Sequence, residues 1–177
     1  MGWMSFRLKE PVKEWFVKNI DENYTVLDVA IVHRNELYAA VKEKKSGNVY
    51  AIVYMLQWSR DYYNFSYKSM SEFAGPVISN CPECILKLLT DLDENDTENE
   101  FAINWRKRCW KNIESRKNKN VILKTEVPIK FSNGCEYEYF KRDGRKLFAG
   151  YFDNNVFVPH VKVRLNISKY NYDLIYL

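Results

Sequence analysis

Glycine and proline are scarce in this sequence, six and five of 177 residues, which excludes a collagen-like or low-complexity chain. No apolar run approaches the roughly 20 residues of a membrane-spanning helix. The opening Met1-Gly2-Trp3-Met4-Ser5-Phe6-Arg7 has no secretory apolar region, and Phe6 stands where a myristoylation signal requires Ser or Thr. Histidine occurs only as His33 and His160, too far apart from other candidates to argue a Ser-His-Asp or Cys-His arrangement. The glycines are scattered singly, so there is no phosphate-cradling loop. Four cysteines in a chain without an export signal predict free thiols in a reducing cytoplasm, not a disulfide framework.

What is present is an aromatic-rich chain of 21.2 kDa, 46% hydrophobic and 16% aromatic. That length suits one compact domain or two small ones, and is too short for a barrel enzyme or a dinucleotide-binding dehydrogenase. Twenty-seven Lys and Arg against 23 Asp and Glu give a net charge of +4, which by itself forces no conclusion about nucleic acid. The distribution says more. Residues 91–100 hold six acids and no base, and residues 104–124 hold eight bases against Glu114 alone. An acidic loop therefore runs straight into a basic helix.

Hydrophobic spacing predicts a helix over Lys9 to Ile20, with Pro11 in its first turn and Val12, Trp15 and Phe16 on one face. Strands are predicted over Thr25–Val32, Glu36–Lys44 and Val49–Gln57, the last two joined at Ser46-Gly47-Asn48. The aromatic stretch Trp58–Lys68 reads as irregular. A helix is expected from Glu83 to Thr90 after Pro82, with Cys84, Ile85, Leu88 and Leu89 inward. A longer one is expected from about Glu100 to Arg116, with Phe101, Ala102, Trp105, Cys109 and Ile113 on its apolar side and Lys107, Arg108 and Lys111 opposite. Beyond it the pattern predicts five short strands: Val121–Phe131, Cys135–Lys141, Lys146–Phe152, Val156–Val158 and Tyr170–Tyr176. The expected fold class is α+β. A three-strand antiparallel meander packed with helices (1–118) is followed by a small, half-open SH3-like five-strand β-barrel (119–177).

Cys81-Pro-Glu-Cys84 has the spacing of a redox pair or half a zinc site. No strand of a βαβ unit precedes it, and Cys109, Cys135, His33 and His160 are not paired at ligand spacing. A helix start with Cys84 packed in the core is the expectation. Asp28 on the first strand with Glu43-Lys44-Lys45 matches the acid, acid-x-Lys pattern by which nucleases hold Mg²⁺ and activate water. Such triplets also arise wherever charges gather beside a turn. For nucleic acid there are two features. One is the basic run Lys107, Arg108, Lys111, Arg116, Lys117 and Lys119, which suits phosphates. The other is Trp58, Arg60 and Lys68 amid Tyr62, Tyr63, Phe65 and Tyr67, which suits stacked single strands. A solvated helix face and an aromatic core segment are the plainer explanations of each.

Several strings carry a family resemblance: the opening Met1-Gly2-Trp3; Ala39-Ala40-Val41-Lys42; Asp61-Tyr62-Tyr63-Asn64-Phe65-x-Tyr67-Lys68-x-Met70-x-Glu72-x-x-Gly75-Pro76; Cys81-Pro82-x-x-Ile85-Leu86-x-Leu88-Leu89-Thr90; and Ala102-x-x-Trp105-Arg106-x-x-Cys109. Ile129-x-Phe131-x-x-Gly134 and Pro159 extend it into the tail. In these the chain resembles an uncharacterised family carried by phages, plasmids and integrative elements of Firmicutes. It is also similar in size and setting to the Cas9-inhibiting anti-CRISPR proteins, without a residue-by-residue match. The resemblance implies a non-enzymatic binding protein in the cytoplasm of a bacterial host. It would bind a host-defence nucleoprotein, specifically Cas9 with its guide RNA, with no membrane partner and no cofactor. The net positive charge departs from the acidic DNA-mimic design of inhibitor. The alternatives are a metal-dependent nuclease using Asp28, Glu43 and Lys45, and a DNA-binding accessory protein of the element. Among the shared strings, the polar Asp61, Asn64, Lys68, Glu72 and Arg106 are candidates for function, and a buried Glu72–Arg106 ion pair is the alternative expectation for the last two.

Overall fold

The computed structural model describes residues 14, 17–18, 20–32, 36–56, 62–65 and 79–177. By compactness the chain divides into two units, Met1–Lys107 and Arg108–Leu177. Both contain antiparallel sheet, and the architecture is α+β. Of the expected first helix, Glu14 and Val17–Lys18 are helical and the rest lies outside the described residues.

The first unit is built on β1 (Tyr24–Val32), β2 (Glu36–Glu43), β3 (Val49–Leu56) and β4 (Tyr62–Phe65), hydrogen-bonded in that order. The meander is thus extended by a fourth strand that falls inside the stretch expected to be irregular; it pairs Phe65 with Val53 and Tyr62 with Leu56. The β2–β3 turn closes through Glu43 N–H to Asn48 O (2.8 Å) and Gly47 N–H to Glu43 O (2.9 Å). Gly47 takes a φ of 76°, a left-handed conformation that side chains resist. Tyr24, Val26, Leu37, Ala39, Val41 and Ile52 form one core cluster. Tyr38 and Ala40, on the alternate positions of β2, are buried as well. β2 is therefore covered on both faces.

Pro82 leads into α1, a single turn at Glu83–Leu86, shorter than the expected helix to Thr90. Its continuation is redirected because Thr90 joins β3: Val49 N–H donates to Thr90 Oγ1 (2.7 Å) and Thr90 N–H to Val49 O (3.1 Å). In one turn only two side chains face inward, Ile85 and Leu86. Cys84, expected in the core, is consequently exposed, as is Leu88, while Leu89 is buried as expected and Cys81 is buried as well.

Asp96 opens the next helical segment, its carboxylate accepting Glu98 N–H at 2.9 Å. A 3₁₀ turn, Thr97–Asn99, then feeds α2 (Glu100–Lys117). The buried positions of α2 are Ala102, Trp105, Cys109, Asn112 and Ser115. Phe101, expected on the apolar side, is exposed, and Ile113 is only half-buried. The stripe continues through polar residues where apolar periodicity alone ends.

The second unit holds β5 (Val121–Lys130), β6 (Glu136–Asp143), β7 (Lys146–Asp153), β8 (Val156–Val163) and β9 (Tyr172–Tyr176), in the order β8-β7-β6-β5-β9. It is an open five-stranded sheet. Among the described residues β8 and β9 do not bond to each other, so no closed barrel forms. β8 runs five residues past its expected end, through Pro159 and His160. Proline is tolerated because β8 is an edge strand. A bulge opposite Ala149/Gly150 also leaves His160 without a register partner. Asn154 and Asn155, at φ of 48° and 63°, make the two-residue β7–β8 turn. The core gathers Leu123, Phe140, Leu147, Ala149, Val163, Ile167 and Tyr172.

Candidate functional site

The basic run is divided in its employment. Lys107 lies 3.6 Å from Glu94, an exposed pair linking the helix to the acidic loop. Lys111 donates to Asp173 Oδ1 at 2.7 Å and to Tyr172 O at 3.1 Å, stapling α2 to the edge strand β9. Arg108 is half-buried, and its Nε is buried with no hydrogen-bond partner among the described residues. Arg116, Lys117 and Lys119 are exposed at the carboxyl end of the helix, where cations are favoured by the helix dipole. Trp58, Arg60 and Lys68 lie outside the described residues, as does Glu72.

Asp28 and Glu43 are not brought together. Asp28 registers with Ala40, and Glu43 registers with Tyr24, four strand positions or ~13 Å along the sheet. Asp28 Oδ1 accepts Val29 N–H (2.9 Å) and Glu43 Oε2 accepts the Ser46 hydroxyl (2.6 Å), while Lys45 is exposed in the turn. Arg106 donates from Nη1 to Thr90 O at 2.6 Å, which fixes the redirected segment. Burial lowers its guanidinium pKa, with Asp91 and then Cys81 acting in the opposite sense. No cluster of three or more His, Cys, Asp or Glu among the described residues is arranged to hold a metal.

The second unit contains a buried polar node that apolar patterning does not reveal. Arg142 on β6 donates from Nε to Ser115 Oγ and from Nη2 to Asn112 Oδ1, both at 3.0 Å. Tyr172 O–H donates to the same Asn112 oxygen at 3.4 Å, and the Ser115 hydroxyl donates to Asn112 O at 2.9 Å. Burial lowers the Arg142 pKa, nearby Arg116 lowers it further, and Tyr172 acts against both. The Tyr172 phenol is raised by its own burial, with Arg142 opposing. The sequence signal was available as Asn112 and Ser115 falling in phase with Ala102, Trp105 and Cys109.

The two faces of the five-stranded sheet differ. Leu123, Phe140, Ala149 and Val161 form one cross-strand row on the core face. The next row on the opposite face is Lys124, Tyr139 and Gly150, followed two positions along by Ile122, Lys141, Phe148 and Lys162. Ile122 is fully buried; Tyr139, Phe148, Phe152 and Lys141 are half-buried, and Lys124 and Lys162 exposed. Tyr139 and Phe152 meet edge to face at 4.9 Å, with Lys124 Nζ 5.7 Å from the Tyr139 ring centre. Gly150 makes room for the close approach of β8. A Cβ there would stand 2.1 Å from Val158 O and 2.8 Å from Phe157 Cζ. Near the β8 bulge, Tyr137, Tyr151 and His160 have ring centres 5.1 to 5.7 Å apart, and the Tyr137 hydroxyl contacts His160 Nδ1. Burial first, then Tyr151 and Cys135, push the Tyr137 phenol up to about 12.

No helix among the described residues is long and apolar enough to cross a membrane. Neither a search of curated proteins nor one of solved structures returns a match. Residues 96–155 match the sequence model of a family described as a domain of unknown function, DUF6927, a stretch that contains α2, β5, β6 and β7 and so includes Asn112, Ser115 and Arg142.

Proposed function

We propose that this chain is a mobile-element binding protein with no reaction of its own, directed against a host-defence nucleoprotein, with Cas9 loaded with guide RNA as the specific partner. The observation that supports it best is the exposed, cationic cluster Arg116, Lys117 and Lys119 at the carboxyl end of α2. Such a cluster meets phosphates of an assembled complex and releases their counterions. The wide separation of Asp28 from Glu43 gives the nuclease alternative no convergent carboxylates to work with. Cas9 reads a short flanking motif and then opens the duplex, so a protein seated on either surface blocks it.

The test is binding of the purified chain to immobilised Cas9, with and without guide RNA. The expected result is capture by the loaded complex and a salt dependence that weakens by up to about 3 in log–log slope when Arg116, Lys117 and Lys119 are changed to Ala. Binding to bare duplex DNA as tight as to the complex would favour the accessory-protein reading. Mg²⁺-dependent cleavage abolished by Asp28→Ala would establish the nuclease.

A further inference from the structure

We propose that the sheet face opposite the second unit's core is a binding surface for single-stranded nucleic acid, with bases stacking on Tyr139, Phe148 and Phe152 and phosphates held by Lys124, Lys141 and Lys162. The proposal goes beyond the nucleoprotein reading above and uses a different surface from the helix end.

Three features point to this occupant. The aromatic residues stand on β6 and β7, interior strands of the sheet, so their backbones are fixed on both sides. Cations stand beside the rings on this face: Lys141 and Lys162 flank Phe148 directly in register and Lys124 flanks Tyr139, while Ile122 at the β5 end of the Phe148 row is buried. None of these three lysines has an ion-pair partner among the described residues. The one acid in the Lys124 row, Asp173, is already engaged by Lys111. Half-exposed rings set among unpaired cations match a strand that offers a π-face and a phosphate at each nucleotide.

The spacing agrees. Phe148 and Phe152 are four residues apart on one strand, roughly 13 Å, about the reach of two extended nucleotides. Gly150 lies between them, and the Phe157 ring of β8 packs over it, so the two rings are separated by a third aromatic side chain. A duplex presents no free base faces, so single strands are preferred over paired ones.

The experiment measures fluorescence anisotropy of labelled 15-residue oligo-dT, oligo-rU and a duplex of equal length on the full chain. Single strands are expected to bind at least tenfold tighter than the duplex. Lys124→Glu with Lys162→Glu changes exposed side chains only, and is expected to weaken binding more than tenfold and flatten its salt dependence. Tyr139→Leu and Phe148→Leu keep apolar volume but remove the ring; each is expected to weaken binding about tenfold with melting temperature within a few degrees of the parent. Irradiation of bound 5-iodouracil oligonucleotide should crosslink at Tyr139, Phe148 or Phe152. Equal duplex and single-strand affinity, undiminished binding by the Leu variants, or crosslinks elsewhere would overturn the proposal, as would preference for an acidic peptide over the oligonucleotides. Loss of Cas9 binding with oligonucleotide binding intact sinks only the earlier reading.

Discussion

Removing the Arg142 guanidinium tests whether the polar node holds the second unit together or merely tolerates a buried cation. Arg142→Met keeps most of the aliphatic stem and deletes the two 3.0 Å hydrogen bonds to Ser115 and Asn112. Bonds to a charged group are worth about 1.5–3 kcal/mol each, so the gross loss is roughly 3–6 kcal/mol. Against this stands the desolvation of a cation beside Arg116, which both burial and like charge disfavour and which costs several kcal/mol. The orphaning is partial, because Asn112 Oδ1 keeps the Tyr172 hydroxyl and Ser115 Oγ keeps its donor bond to Asn112 O. The balance predicts a loss of about 2 kcal/mol for Arg142→Met, or a melting temperature lower by roughly 4–8 °C at this chain length. Arg142→Ala should lose about 1–2 kcal/mol more as the stem's packing goes. Urea unfolding followed by far-UV circular dichroism measures both, and a double-mutant cycle with Ser115→Ala should return a coupling near 1 kcal/mol. If Arg142→Met were as stable as the parent or more so, the hydrogen bonds would be doing no more than cancelling desolvation, and the node would not be a source of stability.

Gly150→Ala puts a methyl 2.1 Å from a backbone oxygen, which cannot swing aside as a flexible side-chain tip would. The expected cost is about 3 kcal/mol, read by the same urea titration, and an unchanged midpoint would refute the tight packing of β8 against Gly150. Tyr172 gives a pH dependence. Its phenol pKa is raised in the folded chain, so its contribution to stability is intact below the unfolded value near 10 and is lost as pH rises through the folded value. Once the unfolded phenol is fully ionised the slope approaches about 1.4 kcal/mol per pH unit. Tyr172→Phe should flatten the fall in stability above pH 10; an identical alkaline profile for parent and variant would contradict the assignment.

How much of this was legible beforehand follows the physics of each signal. Turn chemistry was the clearest: Gly47, Gly134, Gly144 and the Asn154-Asn155 pair all have positive φ, and each sits where the sequence places a hairpin. The β2 and β3 boundaries followed from alternation to within a residue. The α1 helix is shorter than its apolar spacing predicts because Thr90 is captured by β3, a contact 41 residues away that no local pattern encodes. Tertiary structure likewise allowed Pro159 inside a strand, since only the topology makes β8 an edge. For the candidate site, composition located cations in α2 but not their partners. That Lys111 is committed to Asp173 depends on strand β9, 62 residues later. The lysine and aromatic face was hidden for a different reason. β7 is apolar on both sides, and period-two patterning loses its meaning when neither face is polar.

The stretch matched by DUF6927 invites a sharper test of what constitutes the folding unit. Residues 96–155 supply α2, β5, β6 and β7 but stop before β8 and β9. A fragment with those limits would leave β7 without the seven registered partners, Leu147 to Asp153, that β8 provides. β5 would lose its pairing with β9 from Val121 to Thr125. The core would also lose Val163, Ile167 and Tyr172, each worth about 1.5–3 kcal/mol of burial, and Asn112 would lose the Tyr172 hydroxyl. Those side chains together amount to roughly 5–9 kcal/mol, comparable with the whole stability of a small domain. Two bare, partly apolar edges would then invite intermolecular pairing. The 96–155 fragment is therefore expected to show no cooperative thermal transition and to aggregate at micromolar concentration, under conditions where the full chain melts cooperatively. A monomeric fragment with a sharp melt would mean that the matched stretch folds without its neighbouring strands, and that β8 and β9 are accessories to the sheet.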